Sequence, residues 1–230
     1  SESLWNLVDC GEATQHRLLK ASSSPSRIGR IFITHLHGDH IFGLPGLLAS
    51  RSLAGEKSPL TIWGPKGIRN YVEQNLLASK TSTLYPIFYN EWSSQGGSWS
   101  CKDFSVTAVP LKHSITSFGY LFEERSHTKV LLVEKLIRDG IEPGPIYKEI
   151  KKGKKVTLDN KRVIDGRDYI DETMTPLKFF IGGDNASMKH LESCVKNLHL
   201  LIHEATFTQK DFDSLSKKPL HTTAKQLALF

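Results

Sequence analysis

Between positions 35 and 40 the chain reads His-Leu-His-Gly-Asp-His, three imidazoles and one carboxylate within six residues. Imidazole nitrogen and carboxylate oxygen are donors that borderline metals such as zinc accept in hydrolytic sites, whereas closed structural zinc sites more often use cysteine. The apolar run Ile31-Phe32-Ile33 leads straight into this segment. If that run is a strand, the ligand-type residues fan out from its C-terminal end, His35 and His37 toward one ion and Asp39 and His40 toward another. A His-rich surface turn has the same composition. Four ligand-type side chains packed this densely at a strand end nevertheless point to metal.

Other residues of the same chemistry follow apolar runs in the same way. Asp9 comes after residues 4–8, His113 after 106–110, Asp184 after Phe179-Phe180-Ile181-Gly182-Gly183, and His203-Glu204 after Leu200-Leu201-Ile202. Singly each is unremarked: His113 reads as a satisfied polar residue and Asp184 as a turn former behind two glycines. In α/β sheets, however, sites collect where strands end and loops begin. A dinuclear site needs two sets of N/O ligands and a carboxylate that reaches both ions, which sit roughly 3.5–4 Å apart. Asp184 suits the bridge, with His35, His37 and His113 on the first ion. Asp39, His40 and one further ligand would hold the second. No residue stands out as that further ligand; His127, His190 and His199 read as ordinary surface histidines.

The elements that must position these groups are short. Runs rich in Val, Ile, Phe and Thr predict strands at 4–8, 30–34, 60–63, 104–109, 118–122, 178–181 and 198–202. Helical patterns fall at 44–53, 66–79, 188–197 and 222–230, with Gly64-Pro65 at a strand-to-helix junction and Gly96-Gly97 in a polar loop. The alternation predicts an α/β fold.

Length allows a substantial core, one domain or one domain with an insertion. No apolar run approaches bilayer length, so no membrane partner is expected. The three cysteines form no C-x-x-C pair and fit a reducing, cytoplasmic setting. A formal charge of +6 leans mildly toward a polyanionic partner. The sequence opens almost at once on a strand pattern and stops inside a helical one, so pieces are expected beyond both ends.

Taken in order, Asp9-Cys10-Gly11-Glu12-Ala13-Thr14-Gln15, the 35–40 segment, Ile41-Phe42-Gly43-Leu44-Pro45-Gly46-Leu47-Leu48, Pro110-Leu111-Lys112-His113, Gly183-Asp184, His203-Glu204-Ala205-Thr206 and His221-Thr222-Thr223-Ala224 resemble the ribonuclease Z family of the metallo-β-lactamase superfamily. The resemblance covers nearly the whole chain. It implies an αββα four-layer sandwich, catalytic over 1–124 and 176–230, with an inserted tRNA-binding arm at 125–175. It implies two zinc ions, manganese or iron being acceptable to the same ligands, held by His35, His37 and His113 and by Asp39 and His40, with Asp184 between them. Asp39 would also help deprotonate the attacking water, and Glu204 would orient His221 to protonate the leaving oxygen. The implied reaction removes the 3′ trailer from precursor tRNA, and the implied assembly is a homodimer. The family's last zinc histidine lies beyond the final helix, where this sequence has stopped, so a weak or empty second site is expected. Asn185 stands where threonine is commoner, and Thr222 where serine is usual.

Within the arm, five lysines fall in eight positions, Lys148, Lys151, Lys152, Lys154 and Lys155. Composition alone favours a solvated hairpin turning at Gly153, its lysines discouraging edge pairing. The resemblance favours RNA, because the family's arm carries a Gly-Pro pair, matched by Gly144-Pro145, and grips the tRNA body; the lysines then contact the backbone and tRNA is read largely by shape. Two other readings remain open: a dinuclear-zinc hydrolase of small esters, lactams or phosphodiesters, which needs no arm, and a metal-poor form that binds tRNA without cutting it.

Overall fold

The computed structural model describes residues 4–125, 130–171 and 176–230; His127 lies outside them, as do parts of the expected arm. The chain divides into two compact units, one of residues 1–99, 106–122 and 178–230, the other of 100–105 and 123–177.

In the first unit, strands Trp5–Val8, Ile28–Phe32, Leu60–Pro65 and Ile87–Trp92 form a four-stranded sheet in that order, parallel throughout. A parallel sheet survives only when both faces are covered, and Ile28–Phe32 meets this with four of its five residues buried. Its side chains alternate between the faces. Phe32 points inward, stacked on Trp63 at 4.9 Å and meeting Tyr120 and Phe122 of a second sheet at 5.3 and 5.4 Å. That sheet has five strands in the order Leu200–Ile202, Lys178–Ile181, Ser117–Glu124, Phe104–Leu111, Gly97–Ser100. Outside the first sheet, Ile31 joins Leu44, Leu47, Leu48, Ile68 and Val72 of helices Leu44–Leu53 and Ile68–Ala78. Outside the second, Leu121 and Phe180 pack with Met188, Leu191 and Leu227. The layering is αββα, as expected.

The departures have local causes. The strand expected to run to residue 34 pairs only as far as Phe32, with one more bond from Ile33 N–H to the Trp63 carbonyl (2.8 Å). The next N–H, that of Thr34, is taken by the Asp9 carboxylate (2.7 Å), which ends the ladder and frees the chain to turn. Of the helix expected at 188–197 only a 3₁₀ turn, Lys189–Leu191, forms. Tight bonds such as Cys194 N–H to the Leu191 carbonyl (2.8 Å) replace the α pattern, and Asn197 at φ 59 closes it off. The helix expected at 222–230 is Ala224–Ala228, started by a capping box between Thr223 and Gln226. Gly97 opens a strand rather than lying in a loop, while Gly96 at φ 78 makes the turn before it. Helix Thr14–Lys20 and strands Ile87–Trp92 and Gly97–Ser100 have no counterpart in the sequence pattern, since polar residues interrupt all three.

The second unit carries its own small core of Leu136, Ile141, Ile150, Ile164 and Tyr169. Around it lie helices Val133–Arg138 and Ile146–Ile150 and two antiparallel pairs, Lys155–Thr157 with Val163–Asp165 and Val130–Leu131 with Ile170–Asp171. Gly153 at φ 74 ends a helix instead of turning a hairpin, its N–H bonded to the Ile150 carbonyl at 2.8 Å. Among the described residues no helix is long and apolar enough to cross a membrane.

Candidate metal centre

Asp9, in the left-handed region at φ 58, organises the site from behind. Its Oδ1 accepts the Thr34 N–H (2.7 Å), while Oδ2 accepts the Thr34 hydroxyl (2.8 Å) and His40 Nδ1–H (2.7 Å). A hydroxyl whose hydrogen is spent on Asp9 can only accept from His35 Nδ1, 3.0 Å away. His35 therefore carries its proton on Nδ1. Its Nε2 is buried with no hydrogen-bond partner among the described residues, and lies 3.7 Å from Asp184 Oδ2. His113 repeats the pattern from another strand end. Its Nδ1 faces the Leu220 carbonyl at 2.9 Å, an acceptor only, so Nε2 is left bare 3.1 Å from His37 Nδ1. Fixing one imidazole nitrogen on oxygen so that the other is free is how metal-binding histidines are prepared.

Nitrogens of four histidines converge on Asp184. Its Oδ2 lies 3.7 Å from His113 Nε2 and 3.6 Å from His221 Nδ1, and its Oδ1 lies 3.4 Å from His40 Nε2. The approach depends on Gly183, where a Cβ would sit 2.6 Å from Thr34 Cβ. Ligand atoms of His35, His37, His113 and Asp184 all lie within 4.8 Å of one another, as do those of Asp184, Glu204 and His221. An orphaned buried nitrogen amid an N/O donor set fits a divalent metal, and the cluster could hold one by composition and geometry.

Burial pulls the His35 pKa down to about 3, and the positive charge of His40 adds to this. Burial also disfavours the charged form of His40, but hydrogen bonds to Asp184 and Asp9 and their negative charges outweigh it and raise its pKa to about 10. For Asp184, burial is opposed by the His40 hydrogen bond and the charges of the surrounding histidines, and the result is a pKa of about 2. His40 therefore favours its protonated form.

Asp39 keeps its side chain 74 % exposed, with Oδ2 3.5 Å from His40 Nε2, and belongs to neither close ligand cluster. Glu204 is more committed. Its Oε1 accepts the Asn185 N–H at 2.8 Å, Oε2 accepts the Thr206 hydroxyl, and both oxygens face His221 Nδ1 at 3.1 and 3.2 Å. The arm residues lie in the second unit. Gly144 and Pro145 are exposed and line a 500 Å³ pocket with Gly140, Ile141, Ile146 and Leu158. All five lysines lie at the surface of that unit; Lys152 and Lys154 are both paired to Glu149. The sequence gives no sign of Thr34, and shows Asn185 only as a variant position; a polar residue completely buried beside a ligand has no signature until its partners are known.

Residues 4–132 match the family model described as anti-Pycsar protein Apyc1, a stretch that takes in the 35–40 segment and His113 but stops before Asp184. A ribonuclease Z from Listeria monocytogenes serotype 4a is 48 % identical over 98 % of this chain and 73 % of that protein. The chain belongs to the ribonuclease Z family. A ribonuclease Z from Limosilactobacillus fermentum is 43 % identical over 98 % of this chain and 72 % of its own length. Among solved structures, human tRNase Z, short form, superposes with a TM-score of 0.68 at 27 % identity, over all of this chain and 77 % of that one. The metallo-β-lactamase-fold protein YhfI from Bacillus subtilis shares the fold at a TM-score of 0.57 and 15 % identity, over 98 % of this chain and 68 % of that one. The ribonuclease Z motifs in this chain are thus carried on the metallo-β-lactamase fold.

Proposed function

We propose that this chain is a metal-dependent endoribonuclease that removes the 3′ trailer of precursor tRNA, hydrolysing the phosphodiester after the discriminator nucleotide and leaving a 3′-hydroxyl. The observation that carries the reading is the meeting, on Asp184, of a histidine ligand cluster and the Glu204–His221 pair. We assign one ion to His35, His37, His113 and Asp184 and a second to Asp39, His40 and Asp184, with zinc first and manganese or iron as alternatives. Glu204 makes a poorer ligand, because Asn185, Thr206 and His221 already occupy its oxygens. When bound, the metal supplies Lewis-acid charge that polarises the phosphodiester and lowers the pKa of the attacking water.

The protein's own groups do the rest. Asp39, exposed at the rim, accepts the proton of the attacking water. Glu204 accepts Nδ1–H of His221 and holds the ring, so that Nε2 can hand a proton to the departing 3′-oxygen as the P–O bond breaks. Lys148, Lys151, Lys152, Lys154 and Lys155 neutralise tRNA phosphates, and Gly144 and Pro145 pack on the tRNA body. A homodimer is proposed from the family and a cytoplasmic setting from three unpaired cysteines.

Cleavage of a 3′-extended precursor tRNA, with metal content measured on the same sample, tests the reading. A single cut beside the discriminator, abolished by chelation and restored by zinc, is expected. Hydrolysis of bis(p-nitrophenyl) phosphate with the precursor left intact would favour the small-phosphodiester reading instead.

A further inference from the structure

Asn185 is completely buried immediately after Asp184, and its bonds reach Glu204 and the neighbours of Glu204 and His221. Its Oδ1 accepts backbone N–H groups of Lys112 and Ser187, both at 3.2 Å. Two donors converging on one atom decide which end of the carboxamide is oxygen. Nδ2 then donates to the Ser187 carbonyl (2.8 Å) and to His203 Nε2 (3.2 Å). The other nitrogen of His203 lies 2.9 Å from the carbonyl oxygen of Glu204. A carbonyl only accepts, so Nδ1 carries the proton and Nε2 presents the lone pair that Asn185 needs. Meanwhile the Asn185 N–H donates to Glu204 Oε1 (2.8 Å), and its carbonyl accepts the hydroxyl of Thr222, the neighbour of His221, at 2.5 Å.

We propose that Asn185 and His203 are positioning residues for proton delivery. The carboxamide fixes the tautomer of His203, and His203 fixes the main chain of Glu204. Glu204, held at backbone and carboxylate alike, then presents its oxygens to His221 in one geometry. The proposal rests on the reading that His221 protonates the leaving 3′-oxygen. In this chain the carboxamide closes the circuit by offering both a two-fold acceptor and a two-fold donor; aspartate keeps the acceptor and loses the donor to His203.

The test uses precursor tRNA carrying either the natural linkage or sulfur in place of the bridging 3′-oxygen at the scissile position. A thiolate departs without a proton, so a defect confined to proton delivery disappears on the sulfur linkage. Asn185→Leu, Asn185→Asp and His203→Ala should each lower kcat at least tenfold on the oxygen linkage, with KM and metal content within twofold of the parent. On the sulfur linkage the loss should shrink to under twofold. His203→Asn, which keeps an N–H near the Glu204 carbonyl, should recover most of the oxygen-linkage rate. Equal losses on both linkages, losses that follow metal content, or no loss at all overturn the proposal. His221→Ala separates the two levels. If that variant is not rescued by sulfur, the acid role of His221 falls and the proposal with it. If it is rescued and Asn185→Leu and His203→Ala are not, the proposal alone falls.

Discussion

Asp9 Oδ2 lies 2.7 Å from His40 Nδ1 and 2.8 Å from the Thr34 hydroxyl, so one carboxylate oxygen orients His40 directly and His35 through Thr34. Outer partners of this kind govern ligand orientation and basicity. Asp9→Ala should therefore weaken metal binding by about 10- to 100-fold, read by competition with a chelator of known affinity. Thr34→Val, which cuts only the branch to His35, should cost less. Equal affinity in the Asp9 variant and the parent would contradict the arrangement.

The opposed shifts of His35 and His40 set the pH response of the metal-free chain. His40 holds its proton up to about pH 10 in the folded state, against about 6.5 when unfolded; its stabilisation is complete below about 6.5 and is lost as pH rises through 10. His35 resists its proton down to about 3, so the unfolded chain binds that proton first and stability is lost as pH falls below about 6.5. The chelated protein should show its highest melting temperature near pH 6.5, falling on both sides. Melting curves from pH 4 to 10 check this.

On the proposed assignment, binding of the second ion expels the His40 proton. At pH 8, calorimetric titration with zinc in two buffers of different ionisation enthalpy should therefore register proton release, larger than for His40→Gln. Apparent affinity should rise with pH between about 6.5 and 10. A titration with no proton released would place the metal away from His40.

His221→Ala should lower turnover by about 100- to 10,000-fold, the usual range for a lost general acid, while metal content stays near that of the parent. Loss of metal in step with activity would make His221 a ligand rather than an acid.

The arm lysines should not be equivalent. Lys152 and Lys154 are shared with Glu149, whereas among the described residues no ion pair involves Lys148 or Lys151. Lys148→Ala and Lys151→Ala should raise the precursor Kd and flatten its salt dependence by about 0.7 to 0.9 in log–log slope for each phosphate that is no longer neutralised. Lys152→Ala should cost less, since that lysine is already partly neutralised. Filter binding at several salt concentrations measures both.

Much of the architecture is legible in the sequence because each layer declares itself locally. The buried strand of residues 28–32, the apolar face of helix Leu44–Leu53 and the ligand-type residues after strand ends all follow from short-range pattern. Elements with mixed polarity do not. Strand Ile87–Trp92 has no buried residue and two consecutive exposed ones, Asn90 and Glu91, and the segment after Met188 has helical spacing but settles into tight turns. In both, long-range packing decides what periodicity leaves open.

The sequence by itself determined the chemistry: which side chains can bind a metal, that they cluster at 35–40, and that Asp184, Glu204 and His221 belong with them. Tertiary structure alone decided which nitrogen of His35, His40 and His113 is tied to an oxygen and which is turned toward Asp184. That choice depends on acceptors far away in the chain, Asp9 for His40 and, through Thr34, for His35, and the Leu220 carbonyl for His113. Imidazole has two nearly equal nitrogens, and only a neighbour fixed in space can break that symmetry.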